Sequence, residues 1–213
     1  MKSLQESLFD KDIDKKDLKP TFAGFEINPM PVIYKGGKFQ FARGWNELSR
    51  EKIYGLEDGS TYFNWEQCHD VKIGSWRVPA ESEWRKIVNR GMHDIVRTGK
   101  QKGIIFYPDY FDPTLRIKKT LITSDQLDEY LKMGCVFLSY TGFYYDNADT
   151  LSNGSWNDLQ FHDVGYYWSS TEVPYIPSRS YSLIFRLERG RTYVGSDCQN
   201  MKERNYFPLI LIK

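Results

Sequence analysis

Apolar positions along this chain follow two periods. Trp84, Ile87 and Val88 recur at helical spacing after Pro79, whose ring presets φ and whose missing N–H costs nothing in a first helical turn, and Gly91 follows as a stop. The spacing predicts a helix over about 80–89. Leu127, Tyr130 and Leu131 share a second helical face, opened by a Thr123/Gln126 capping box and ended by Gly134, which predicts a helix over 124–133. Elsewhere the period is two. Tyr181, Leu183, Phe185 and Leu187 alternate with Ser182, Ile184, Arg186 and Glu188, the signature of a strand with one buried face. Arg189-Gly190-Arg191 makes a hairpin turn into a return strand, Thr192-Tyr193-Val194, and a polar loop is expected over 195–200. Upstream, Gly36-Gly37 joins a run at 31–35 to a strand at 38–43 as another hairpin. The closing run 207–212 is too apolar to stand exposed and is expected to share a sheet with the 38–43 strand. Two helices packed on short antiparallel sheets make the expected class α+β.

Two stretches fit neither period. Residues 1–20 are charged and nearly repetitive, so they bury little apolar area against the entropy of ordering and read as an N-terminal arm ahead of a single domain over 21–213. From 139 to 171, Gly, Asn, Asp and Ser are interleaved with Tyr140, Phe143, Tyr144, Tyr145, Trp156, Phe161, Tyr166, Tyr167 and Trp168. That composition predicts a long irregular loop region packed by its own aromatics, with Trp168 in the core.

Composition narrows the partners. Of 213 residues, 16% are aromatic against an ordinary 27% charged, so the surplus lies in rigid contact area rather than charge. With 29 basic and 28 acidic residues the net charge is +1, which offers no global field for a polyanion, and nucleic acid is not an expected partner. No apolar run approaches bilayer-spanning length, and the segment from Met1 to Ser7 lacks the apolar core of a signal peptide, so neither membrane insertion nor the general secretory route is expected. Cys68, Cys135 and Cys198 are odd in number and widely spaced, which writes neither a zinc ribbon nor a disulfide framework. Cys135, in an apolar run, is expected to pack as a small hydrophobe. His69, His93 and His162 each precede an aspartate, but no further histidine completes a metal-dependent phosphohydrolase, and local capping is the expected role. No phosphate loop, nucleophile elbow or paired-carboxylate motif is present, so no catalytic residue and no cofactor are expected.

The run Trp76-Arg77-Val78-Pro79-Ala80-Glu81-Ser82-Glu83-Trp84 resembles the W-R-[LV]-P-[ST]-x-x-E-W run of C-type-lectin-fold proteins of the formylglycine-generating-enzyme type. That superfamily includes bacterial major paralogous domain proteins and the variable proteins of diversity-generating retroelements. The likeness extends from Gly37 to Lys213 through "FARGWNEL", "KGIIFYPD", "LKMGCVFL" and "GYYWSST" in that order, and implies a C-type lectin-like fold. The chain departs from the pattern twice: the usual Ser/Thr helix cap is Ala80, and the Arg of the closing strand is Ile210. Calcium-dependent lectins of this fold carry a Trp-Asn-Asp, found here as Trp156-Asn157-Asp158, but their preceding Glu-Pro-Asn loop is missing, since Glu172-Val173-Pro174 follows the triplet. The triplet is therefore expected to close a turn, and no metal is expected.

In retroelement-diversified relatives the late segment displays the ligand-facing residues. By that resemblance the expected contacts are Tyr175, Arg179, Arg186, Arg191, Tyr193, Asp197 and Asn200, of residue types that supply binding hot spots. The expected function is a non-enzymatic recognition module that takes a protein or glycan through the C-terminal hairpin and loop surface. A formylglycine-generating-type enzyme or a degenerate relative is the alternative, weakened by the missing thiol pair, and a structural or phage-particle protein is a third.

Overall fold

Helix α2 (Glu81–Asn89) starts on a residue that cannot cap it. Ala80 has no side-chain acceptor, so the helix relies on the other half of a capping box: the Glu83 carboxylate takes the Ala80 N–H at 2.8 Å. Gly91, with φ 63°, follows the helix in the left-handed region that ends such elements at low cost. Helix α3 (Ser124–Lys132) has the full box, with Thr123 Oγ1 accepting from Gln126 N and Gln126 Oε1 accepting from Thr123 N, and Gly134 (φ 87°) closes it. A short helix not expected from the sequence, α1 (Trp65–Cys68), is opened the same way by Asn64 and Gln67.

The computed structural model describes residues 29–34, 39–42, 62–99, 101–140, 144–145, 164–188 and 191–213. Its strands in chain order are β1 (Pro29–Tyr34), β2 (Phe39–Ala42), β3 (Tyr62–Phe63), β4 (Lys72–Ile73), β5 (Trp76–Arg77), β6 (His93–Arg97), β7 (Lys102–Phe106), β8 (Val136–Ser139), β9 (Tyr144–Tyr145), β10 (Val164–Glu172), β11 (Arg179–Glu188), β12 (Arg191–Met201) and β13 (Asn205–Pro208). Two antiparallel three-stranded sheets, β10-β11-β12 and β6-β7-β8, are the largest, and β13 lies between β3 and β9. The class is α+β, with few helices and small antiparallel sheets. The expected hairpin is present as β1 and β2. Part of the expected loop region, from Val164 on, is strand β10, and most of the rest, with Trp156-Asn157-Asp158 and His162, lies outside the described residues.

Sheet β10-β11-β12 separates two apolar clusters. On one side Tyr167, Leu183 and Phe185 meet Trp84 and Ile87 of α2 and the inner residues of β6-β7-β8, among them Ile104 and Phe106. On the other side Trp168 meets Phe63, Trp65 and Phe207. A third cluster lies on the outer face of β6-β7, where Val96 and Ile105 receive Leu127 of α3. Gly165 is required for the first cluster, because a methyl there would collide with the Phe185 ring across the strand pair.

Three expectations need correction. The closing run does not pair with 38–43: β2 pairs with β1, while Phe207 and Pro208 pair with β3, and Ile212 bridges to Arg77. The run is apolar throughout because it threads between clusters, with Phe207, Leu209 and Leu211 in one and Ile210 and Ile212 in the other. Ile210, where the lectin-fold pattern has Arg, is fully inside the core. Strand β11 buries both faces at its centre, with Ser182 and Ile184 as inaccessible as Leu183 and Phe185, because it is the middle strand of a sheet packed on both sides. Finally, the polar stretch 195–200 is strand: β12 continues to Met201 and pairs along β11 through a bulge between Ser182 and Ile184.

Candidate functional site

Residues paired directly across an antiparallel ladder share a face of the sheet. Arg186 pairs with Tyr193, Ser182 with Cys198 and Ser180 with Asn200, so Arg186, Tyr193, Cys198 and Asn200 stand on one face, joined by Arg191 two positions before Tyr193. The bulge in β12 is what keeps Tyr193 and Cys198, of opposite parity, on that side. Tyr166 and Trp168 of β10 share it, through their pairing with Ile184 and Ser182. At the Trp168 end the face is roofed: the ring is fully buried, 4.2 Å from that of Phe207, and its Nε1–H donates to Phe63 O at 2.8 Å.

The other end is open. The Arg186 guanidinium lies 5.1 Å from the centre of the Tyr193 ring, a cation–π pair with the ring 44% exposed. Arg191 is exposed beside it. Tyr166 is half-buried, stacked on Phe207 at 4.8 Å, and burial together with the nearby Cys198 pushes its hydroxyl up to about 12, so it stays a neutral donor. Together these groups offer an aromatic face and guanidinium donors, which suits stacking and hydrogen bonding to a ligand.

Asn200 is more committed than the sequence suggests. Its Nδ2 donates to Ser182 Oγ at 2.8 Å and lies 3.4 Å from both Cys198 O and Cys198 Sγ, so its amide N–H groups serve the sheet. The side chain of Asp197 lies outside the described residues. Tyr175 and Arg179 are both exposed, but Tyr175 lies in the turn joining β10 to β11, and Arg179, the first residue of β11, pairs with Met201 and has the opposite parity to Arg186, so neither joins the Arg186 face. The structure thus brings together Arg186, Arg191 and Tyr193, places Asn200 further along the same face with its donors spent, and sets Tyr175 apart in the β10–β11 turn and Arg179 at the start of β11.

Two buried polar constellations join residues far apart in the sequence. Glu81 is buried where α2 meets β12 and accepts from Arg85 Nε at 2.9 Å and Ser196 Oγ at 3.2 Å. Ser196, expected in a polar loop, is a buried strand residue that anchors the helix. Lys202, also buried, lies 4.2 Å from the centre of the Trp65 ring and 2.7 Å from Glu172 Oε1. Nothing in the local sequence announces this lysine, because its partners come from α1 and β10.

The histidines and cysteines divide as the residues around them dictate. His69 ends α1, stacked on Trp65 at 3.9 Å with Nδ1 3.1 Å from Trp65 O, a local capping role. His93 is instead a β6 residue, and its neighbour Asp94 holds Arg116 at 3.1 and 3.2 Å. Among the described residues no three His, Cys, Asp or Glu side chains gather as a metal site. Cys68 and Cys135 are buried and free, and burial raises both thiols, Cys135 to about 12. Cys135 is the small hydrophobe its run implied. Set beside known proteins, the chain has no match among protein families, curated proteins or solved structures.

Proposed function

We propose that the chain is a non-enzymatic recognition module of C-type lectin-like fold, taking a protein or glycan through the open end of the β11–β12 face. The observation that carries the reading is the Arg186–Tyr193 pair, a guanidinium held at 5.1 Å over an exposed ring on a sheet whose opposite face is sealed by α2. A rigid aromatic and an arginine on a firm scaffold are what binding surfaces use, since little side-chain freedom remains to be lost on contact. The resemblance to retroelement-diversified proteins points to the same segment. The lectin-like fold is in keeping with a helix that follows Trp-Arg-Val-Pro directly and packs on a three-stranded sheet holding Trp168.

The test sets the unchanged chain against Arg186→Ala/Arg191→Ala/Tyr193→Ala on a glycan microarray and against proteins extracted from the source cells. The reading expects one of the two probe sets to bind and the triple variant to lose at least tenfold, on the order of 1.4 kcal/mol. Binding that ignores the triple substitution moves the site elsewhere.

A further inference from the structure

The turn between β10 and β11 is built twice over on proline. Ile176 N–H donates to Val173 O at 3.2 Å, closing a β-turn around Pro174 and Tyr175, and Arg179 N–H donates to Ile176 O at 2.9 Å, closing a second around Pro177 and Ser178. Each proline sits where its fixed φ favours the turn. Val173 N–H bonds to Arg179 O at 3.0 Å across the base, and Lys202 N–H ties Ser178 O to the end of β12 at 3.0 Å. The result is a rigid protrusion.

Tyr175 occupies the third position of the first turn with φ 66°, a conformation that suits Gly or Asn, and it is the one non-glycine residue with positive φ among those described. The residue is 102% exposed, so no contact among the described residues offsets the strain, and Ile176 beside it is 39% exposed. A strained backbone retained to hold a ring wholly in solvent is accounted for when the ring's contacts lie in another molecule.

Shape and charge indicate what that molecule is. A single ring on a narrow convex turn cannot enclose a ligand, so it must enter a concavity, and its rigidity limits the ordering cost of doing so. One Tyr and a part-exposed Ile offer too little apolar area to hold a bilayer. Between Val173 and Tyr181 the one charged side chain is the exposed Arg179, while the carboxylate of neighbouring Glu172 is taken by Lys202 at 2.7 Å. The protrusion therefore presents a positive flank, and its complement is acidic.

We infer that the 173–179 turn inserts Tyr175 and Ile176 into an apolar pocket of a partner protein whose rim carries carboxylates that meet Arg179. The inference rests on the recognition reading above and specifies its partner class. The full chain is immobilised unchanged, as Tyr175→Gly, as Arg179→Glu and as Arg186→Ala/Arg191→Ala/Tyr193→Ala. Each form is offered three probes: soluble protein extract of the source cells, phosphatidylcholine/phosphatidylglycerol vesicles and a glycan microarray. A synthetic peptide of residues 173–179, closed by a disulfide between cysteines added at its two ends, serves as competitor.

The expected result is a protein held by the unchanged chain, displaced by the peptide and reduced at least tenfold by Tyr175→Gly and by Arg179→Glu, both of which melt as cooperatively as the parent. Capture that survives both turn substitutions but fails in the triple variant overturns this inference and leaves the recognition reading standing. Tyr175-dependent retention of vesicles or glycans without a captured protein overturns the partner class. Absence of binding by every form overturns both.

Discussion

The Arg77 guanidinium meets the Glu83 carboxylate through two N–H···O bonds of 2.6 Å each, and the same carboxylate accepts the Ala80 N–H at 2.8 Å. One side chain thus locks β5 to α2 and stands in for half a cap. Burial alone would raise the Glu83 carboxyl, but the bonds from Arg77 and Ala80 hold it below its ordinary value of 4.5. Because the folded value is depressed, its stabilisation is full above pH 4.5 and is lost as pH falls through the folded value. Glu83→Ala is expected to cost about 2 kcal/mol at neutral pH. Ala80→Ser, which adds a side-chain acceptor beside the Ala80 carbonyl that already takes the N3 N–H at 3.0 Å, is expected to gain about 0.5–1 kcal/mol. Urea melts of both variants check the pair, and a destabilised Ala80→Ser would show that the cap position has no room for a hydroxyl.

Trp168 and the open end of the same sheet face call for opposite outcomes. Trp168 is fully buried against Phe207 and bonded to Phe63 O, so Trp168→Ala is expected to cost about 3–5 kcal/mol through the cavity and the lost hydrogen bond. Arg191→Ala and Tyr193→Ala, at exposed positions, are expected to stay within about 0.5 kcal/mol. Arg186, half-buried over the Tyr193 ring, is expected to cost nearer 1 kcal/mol, more than its place in an alternating strand suggests. Thermal melts in parallel check the ranking; a tolerated Trp168→Ala contradicts the packing described.

The parts of this fold that were legible in the sequence are those whose signal is local. Helix α3 is written in Thr123, Gln126 and Gly134, all within one helix length, and the structure ends it one residue short of the expected 124–133. α2 was legible for the same reason despite its weak cap. The Asn64/Gln67 box of α1 is readable by the same rule. What local patterning could not give was the company each strand keeps. The alternation in β11 implies one wet face, yet Ser182 and Ile184 are buried because β10 and β12 flank the strand and clusters cover both sides. The polar stretch 195–200 reads as loop until Ser196 is seen bonded to Glu81 and Asn200 to Ser182, partners 115 and 18 residues distant. Of the candidate contacts, Arg191 stands in strand opposite Glu188 rather than in the expected 189–191 turn, which is what sets Arg186 against Tyr193, and the loss of Asn200's donors to the sheet depended on the bulge.

His93 gives the fold a pH dependence near neutrality. Its ring is packed at 5.9 Å edge-on to Phe106 with Nδ1 buried and unbonded, and burial first, then the positive Arg116 and Arg90, lower its pKa from 6.5 against the opposing pull of Asp94. The unfolded chain therefore binds the proton more readily. Stability from this residue is complete above pH 6.5 and falls as pH drops from 6.5 toward the depressed folded value. His93→Phe, which keeps a ring and removes the titration, is expected to flatten the stability profile across that window. Denaturant midpoints measured from pH 7.5 to 5 decide it: an unchanged slope in the variant would assign the acid sensitivity to other groups.

Tyr175 supplies the clearest separation of stability from recognition. A left-handed residue other than Gly, Asn or Asp costs about 1–2 kcal/mol, and the 102% exposure of the ring means that nothing in the fold is lost when it is removed. Tyr175→Gly relieves the backbone but adds freedom to the unfolded chain worth about 0.5–1 kcal/mol, so a net gain of about 0.5 kcal/mol is expected. Tyr175→Asn tolerates the same φ without that entropic offset and is expected to gain about 1 kcal/mol. Tyr175→Val is the converse, since a β-branched side chain fits this region worst, and it is expected to lose about 1 kcal/mol. The order Asn, Gly, Tyr, Val in denaturant midpoint establishes that the turn carries strain the fold does not use. An order in which Tyr stands highest would place a stabilising contact on the ring and remove the reason for seeking its partner outside the chain.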